Sequence, residues 1–346
     1  LSILNSGTAA TNSMAIGSTQ SGQLKLTDAE LGFITGQGWT TLAFGNNGSA
    51  GVLNVDAKSW SENVIFRNGA GTLSINGVQT MAAGKNLTIT SNGDIALNFA
   101  VDGTGTLTFG PSAATATFGV GDGQAGPVHL SNAELARISA NWNLLTFGTT
   151  VTTTSTYGTM GVANLNWNHN VRFLNNLQAM SIAGATMAAG KNLTIETNGT
   201  LNINGNLNGT GNLTVAPQAA GTTIGVDGTG TLNLSAAELN RFVDGWSEIV
   251  IGRTDGTGAM AVGSRTWNDN LRLMSGTGII TIAGADMGAN NLSIVTNGNP
   301  AINGNLVGTG ALTIRTASGL TGIGVGDLQT GALALSNAEL GRFVDG

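Results

Sequence analysis

Cysteine is absent from the 346-residue chain, which excludes disulfides, thiolate metal sites and a thiol nucleophile. Charge is scarce. Asp, Glu, Lys and Arg make up 9% of residues, against about a quarter in an average domain. High charge with low hydrophobicity is what keeps chains unfolded, so a disordered acidic or basic tail is excluded. The 13 basic residues form no run, and the formal net charge is −6. Nucleic acid and anionic membranes are therefore not expected partners, since both need clustered Lys and Arg. No stretch approaches the roughly eighteen apolar residues that cross a bilayer, so membrane insertion is not expected. Residues 1–5 lack the basic and apolar regions of a signal peptide. Aromatics are 5% and prolines number 4, whereas glycines number 54.

What the chain has is repetition. Leu26-Thr-Asp-Ala-Glu-Leu31 returns at Leu130–Leu135, Leu234–Leu239 and Leu335–Leu340, at spacings of 104, 104 and 101 residues. Met81-Ala-Ala-Gly-Lys-Asn-Leu87 and Trp60-Ser-Glu-Asn63 recur with the same rhythm, the latter as Trp167-Asn-His-Asn170 and Trp267-Asn-Asp-Asn270. The copies divide the chain into residues 1–25 (the tail of a preceding repeat), 26–129, 130–233, 234–334 and 335–346 (the start of a further repeat). The expected organisation is one continuous solenoid, a window on a longer array.

Within a copy, Leu87-Thr-Ile89 and Leu107-Thr-Phe109 lie twenty residues apart, as do Leu193-Thr-Ile195 and Leu213-Thr-Val215. Such apolar-polar-apolar runs are the period of half-buried strands. The intervening Asn92-Gly93, Asn198-Gly199 and Gly103-Thr-Gly105 are expected to supply positive φ angles at sharp corners. The pattern predicts an all-β fold, a right-handed parallel β-helix with a short capped helical turn once per copy. At about 4.8 Å per coil, five coils of about twenty residues give each copy a rise near 24 Å.

Thr27/Glu30, Ser131/Glu134, Ser235/Glu238 and Ser336/Glu339 have the spacing of a capping box, in which hydroxyl and carboxylate each satisfy a free backbone N–H. Arg137, Arg241 and Arg342 stand three residues after the glutamates, a distance that predicts ion pairs on the outer face. Trp39, Trp142 and Trp246 follow each helix and are expected to shield its seam. Trp60, Trp167 and Trp267, with Arg137, Arg241 and Arg342, are candidate surface contacts.

Acids recur in structural slots rather than forming a unique groove, so no catalytic residue is expected and the chain reads as a non-enzyme. Gly119–Gly123 and Val101–Gly105 lack the double glycine and tandem spacing of calcium-binding repeats; no metal or cofactor is expected. Asn86-Leu-Thr88, Asn192-Leu-Thr194 and Asn212-Leu-Thr214 match the glycosylation acceptor pattern, as a composition rich in Asn and Thr produces by chance.

The run Gly-Lys-Asn-Leu-Thr-Ile followed by Leu201-Asn-Ile-Asn-Gly-Asn-Leu-Asn-Gly-Thr-Gly-Asn-Leu-Thr-Val215 resembles the β-helical repeats of filamentous-haemagglutinin-like bacterial surface proteins. The Leu-Ser-x-Ala-Glu-Leu-x-Arg element at Leu130 and Leu234 is similar to one in very large members of that group. The resemblance implies secretion to the cell surface and a role in adhesion, surface coating or fibre formation. The expected function is that of an extracellular structural or adhesive rod whose partner is itself, with host or bacterial glycans as further partners. The alternative is a glycan-binding or glycan-cleaving β-helix, which solvent-exposed tryptophans at Trp167 and its equivalents would favour.

Overall fold

The computed structural model describes residues 1–5, 12–112, 116–148, 158–176, 178–319 and 322–345. The protein is all-β, a parallel β-helix punctuated by four one-turn helices: α1 (Asp28–Gly32), α2 (Asn132–Leu135), α3 (Ala236–Leu239) and α4 (Asn337–Leu340). It divides into two compact units, Leu1–Ser181 and Ile182–Gly346.

In the first unit the longest face stacks Ser2–Ile3, Thr41–Gly45, Asn63–Arg67, Leu87–Ser91, Thr106–Pro111, Leu144–Phe147 and Asn170–Asn175, all parallel. Period-2 alternation sends every second side chain inward. Register therefore aligns Leu42, Val64, Leu87, Leu107, Leu145 and Val171 in one buried column. Phe44, Phe66, Ile89, Phe109, Phe147 and Phe173 form the next column.

In the second unit Leu193–Thr197, Asn212–Ala216, Glu248–Gly252, Leu271–Met274, Leu292–Val295 and Leu312–Arg315 stack in the same way. There both columns are aliphatic, with Leu193, Leu213, Ile249, Leu271 and Leu292 beside Ile195, Val215, Ile251, Leu273 and Ile294. Each rung adds its own apolar pairs, so the core lengthens with the stack instead of widening.

The asparagine of Asn-Leu-Thr fastens rung to rung. Asn63 Oδ1 accepts the Asn86 N–H at 2.9 Å, and Asn86 Oδ1 accepts the Thr106 N–H at 2.8 Å. Asn192 and Asn291 do the same for Asn212 and Ala311, both at 2.8 Å. At Asn86 and Asn192 the asparagine of the acceptor pattern thus has a structural role of its own.

Two expectations need correction. Gly93, Gly103 and Gly105 do not have positive φ. Glycine stands there because a Cβ would collide with the neighbouring rung, 2.4 Å from the Ala70 carbonyl oxygen at Gly93 and 2.5 Å from the Trp142 ring at Gly103. Nor does a copy have five coils on every face. The longest face takes four strands per copy (Thr41–Gly45, Asn63–Arg67, Leu87–Ser91 and Thr106–Pro111 in the first), a rise of about 19 Å at ~4.8 Å per strand.

The discrepancy comes from the coil that carries the helix. On the second face of the first unit Phe118–Val120 is followed by Val128–Leu130, which turns back and pairs with it in parallel, Val120 opposite Leu130. Ile224–Val226 and Leu232–Leu234 repeat this in the second unit. Residues 121–127 alone make the connection, far fewer than the dozen or more of an ordinary parallel crossover. The connection opens at positive φ, at Gly17 (105°), Gly121 (87°) and Gly326 (90°), with Asp227 (51°) at that place in the second copy. The doubled-back strand gives the second face one strand more per copy than the first, and this coil consumes its extra residues without adding a first-face rung.

Candidate functional site

The recurrent landmarks meet around the helical turns. All four capping boxes form, with Thr27, Ser131, Ser235 and Ser336 each accepting the backbone N–H of the glutamate three residues on. In return Glu134 Oε2 accepts the Ser131 N–H at 2.8 Å and its hydroxyl at 2.7 Å. The second carboxylate oxygen reaches out of the helix. Glu134 Oε1 accepts the Leu97 N–H at 3.1 Å, Glu238 Oε1 that of Ile203 at 3.3 Å, and Glu339 Oε1 that of Ile302 at 3.2 Å. One carboxylate thereby caps the helix and staples it to an earlier strand of the second face.

This corrects the expected outer-face ion pairs. Arg253 pairs with Asp255 and Arg272 with Glu248, but among the described residues no ion pair joins Arg137, Arg241 or Arg342 to its glutamate, whose oxygens are already engaged. The arginines contribute through their backbone. The carbonyls of Arg137, Arg241 and Arg342 accept the N–H groups of Val101, Leu207 and Leu306 at 3.0, 2.8 and 2.9 Å, closing the third face. Arg137 and Arg241 are exposed and Arg342 is half-buried.

Asp122 belongs to the same frame, because its Oδ1 accepts the Asn132 N–H at the start of α2 at 3.0 Å; Asp327 does likewise for Asn337 at 3.0 Å. Asp102 accepts from the Ser139 hydroxyl and from Asn141 Nδ2, and these bonds hold its carboxyl below the usual range. Asp94 is pushed up by burial, then by the charge of Glu134.

Trp142 and Trp246 seal the helix seam. They are 2% and 3% exposed, and their indole N–H groups donate to the Val101 and Leu207 carbonyls at 3.1 and 3.2 Å. Their rings lie over Gly103 and Gly209, where a Cβ would come within 2.5 and 2.4 Å. Trp39 departs from the pattern and is 45% exposed; among the described residues no third-face strand precedes it to receive its ring.

Trp60, Trp167 and Trp267 are not surface contacts. They are 1%, 5% and 4% exposed. They lie on or, for Trp267, just after short third-face strands, and alternation turns them inward. Trp60 packs against Phe44 and Phe66 at 5.6 and 5.8 Å, and Trp167 against Phe147 and Phe173 at 5.3 and 5.9 Å. A buried indole offers no stacking platform to a sugar, so the feature that would favour a glycan-binding site is missing.

Two residues after each of these tryptophans comes a buried ionisable side chain. Glu62, His169 and Asp269 are 2%, 7% and 5% exposed. Glu62 accepts the Gly36 N–H, His169 Nε2 donates to the Ser139 carbonyl at 2.8 Å, and Asp269 Oδ1 accepts the Gly245 N–H at 2.9 Å. Each ties the segment after the helix to the following rung. The signal was present in the fixed Trp-x-acid-or-His-Asn spacing.

Packing under the helices is uneven. Leu31 and Leu239 are 0% and 2% exposed, whereas Leu135 is half-buried. A cavity of about 300 Å³ lies there between Leu135, Ile138, Leu165 and Trp167. In the third copy Arg265 stands where the second has Leu165. Its guanidinium lies 5.6 Å from the Trp267 ring centroid and donates to Asn240 Oδ1 at 2.7 Å.

Among the described residues no three or more His, Asp or Glu side chains come together, and no helix is long and apolar enough to cross a membrane. Comparison with protein-family models, curated proteins and solved structures returns no match.

Proposed function

We propose that the chain is a segment of an extracellular structural or adhesive β-helical rod, secreted to a bacterial cell surface, that associates with copies of itself. The supporting observation is what the chemistry-bearing side chains do. The capping glutamates, Asp122, Asp102, Glu62, His169 and Asp269 all satisfy backbone or hydroxyl groups of their own chain. A catalytic groove needs acids and bases aimed at an outside reactant; here they hold rungs together. Repetition then multiplies any weak surface contact once per copy, which is how an array gains avidity.

Sedimentation of the purified chain over a wide concentration range tests the reading. Association that grows with concentration is expected, together with no new reducing ends when polysaccharides are added. A chain that stays monomeric throughout, or that cleaves a glycan, overturns it.

A further inference from the structure

The corner between the second and third faces changes character from copy to copy. In the first copy Leu73–Ile75 and Ile95–Leu97 lead around it into Gln79–Met81 and Val101–Asp102. In the coil after, α2 takes the corner and leads to Ile138, which pairs with Val101. The Val78, Ala100 and Arg137 carbonyls accept the N–H groups of Lys58, Gln79 and Val101, so these three residues hold one position on successive rungs, about 4.8 Å apart. Phe33 stands two residues after Leu31 as Arg137 does after Leu135, which gives it that position at α1.

In the first copy this line is apolar. Phe33, Val78 and Phe99 are 80%, 43% and 48% exposed, and Ala57 and Ala100 are exposed beside them. The second copy has Arg137, Gly184 and Gly205 in place of the three large residues, and the third has Arg241, Gly284 and Gly304. Arg137 and Arg241 are exposed as well, so exposure belongs to the position. The change at Phe99 has a steric cause. At Gly205 and Gly304 a Cβ would come within 1.9 and 1.7 Å of the Ala183 and Ala283 carbonyl oxygens. The first copy's preceding corner, residues 76–78 against 183–184, is one residue longer, which leaves room for a ring.

The line ends at the cavity of about 300 Å³ beside α2, between Leu135, Ile138 and Leu165. In the third copy Arg265 crosses that place to reach Asn240 Oδ1, whereas the second has Leu165 and Ala136 there. None of the described side chains lining the cavity is Asp, Glu, Lys or Arg. A cavity of about 150 Å³ already holds benzene, so a phenyl ring fits.

We propose that this corner is a two-fold self-interface, in which Phe33 of one chain enters the α2 cavity of an antiparallel second copy and Val78 meets Val78 midway. Phe33 and Arg137 lie two rungs to either side of Val78, so an axis there makes the same contact twice, as an isologous interface requires. It also sets Arg137 of each chain against α1 of the other, whose charged residues, Asp28 and Glu30, are both acidic and exposed, a complementary pairing. An exposed aromatic anchor entering an uncharged pocket is the usual centre of such a contact. The interface rests on the self-association proposed above and names its surface.

Sedimentation equilibrium of the intact chain tests it. Dimers are expected, with Phe33→Arg and Leu165→Arg each weakening the pairing about tenfold or more. Both install a residue that another copy carries at the same slot, and unfolding in denaturant checks that the fold persists. The cysteine-free chain gives a second readout. Val78→Cys, placed on the axis, is expected to be joined to its partner by a short bis-maleimide, whereas Asn206→Cys, exposed in the second unit, is not. Should an arginine substitution disturb folding, the Val78→Cys result decides in its place. Association that either arginine substitution leaves unchanged in a folded chain, or linking at Val78→Cys no greater than at Asn206→Cys, overturns this interface while self-association stands. A chain that is monomeric at every concentration overturns both.

Discussion

The tryptophan pockets of the first and third copies share a plan and differ most plainly in what the indole N–H meets. Trp60 donates its indole N–H to Gln79 Oε1 at 2.9 Å, and Gln79 Nε2 donates to the Asp56 and Gly77 carbonyls at 2.7 and 2.9 Å. The indole N–H of Trp267 is buried with no partner. The register explains why: Lys58 pairs with Gln79, and Arg265 pairs with Ala285, so a methyl group occupies the place of the amide. Burying roughly 200 Å² of indole at ~25 cal/mol per Å² is worth about 5 kcal/mol. An unsatisfied donor costs only about 1–3 kcal/mol. The ring is retained for its volume, and the polar tip is optional.

The comparison can be broken or sharpened by substitution, with stability read from denaturant unfolding and from exchange in the strands that flank each pocket. Trp60→Ala and Trp267→Ala should each cost about 3–5 kcal/mol, as large-to-small core changes do. A loss under about 1 kcal/mol at either site would show that the ring is not a core element there. Gln79→Ala converts the first pocket to the form of the third and orphans the Trp60 N–H, at about 1–3 kcal/mol, with loss confined to the first unit. The reverse change, Ala285→Gln, supplies the missing acceptor and should stabilise the second unit by about 1 kcal/mol. A net loss would mean that the third pocket has no room for the longer side chain. Smallest is Arg265→Leu, which recreates the second copy's residue and should cost about 0.5–1 kcal/mol through the lost contact with the Trp267 face.

Local features were legible in the sequence. Leu87-Thr-Ile89 reads as a strand because alternation is a property of the run itself, and Ser131 with Glu134 reads as a capping box because both partners lie within one turn. What escaped depends on which rung lies next door. Nothing near Gly103 announces that Trp142, 39 residues later, will lie on it. Nor does the Arg137 spacing reveal that Glu134 is already committed to Leu97. The burial of Trp60, Trp167 and Trp267 follows from alternation on third-face strands of two or three residues, too short to register as a period. The doubled-back strand at Val128–Leu130 was hidden because its seven-residue approach resembles any glycine-rich corner, and it is what turned an expected five-coil copy into four first-face rungs.

The site itself was half visible. The capping residues and Trp142 and Trp246 were found in their structural roles, whereas Glu62, His169 and Asp269 emerged as fasteners only once the rungs were stacked.

The most direct test of the account is electron cryo-microscopy of the concentrated protein. It predicts filaments with a strand spacing of about 4.8 Å and a copy repeat near 19 Å, set by four first-face rungs per copy. Separate particles at every concentration, or a repeat near 24 Å, would contradict it.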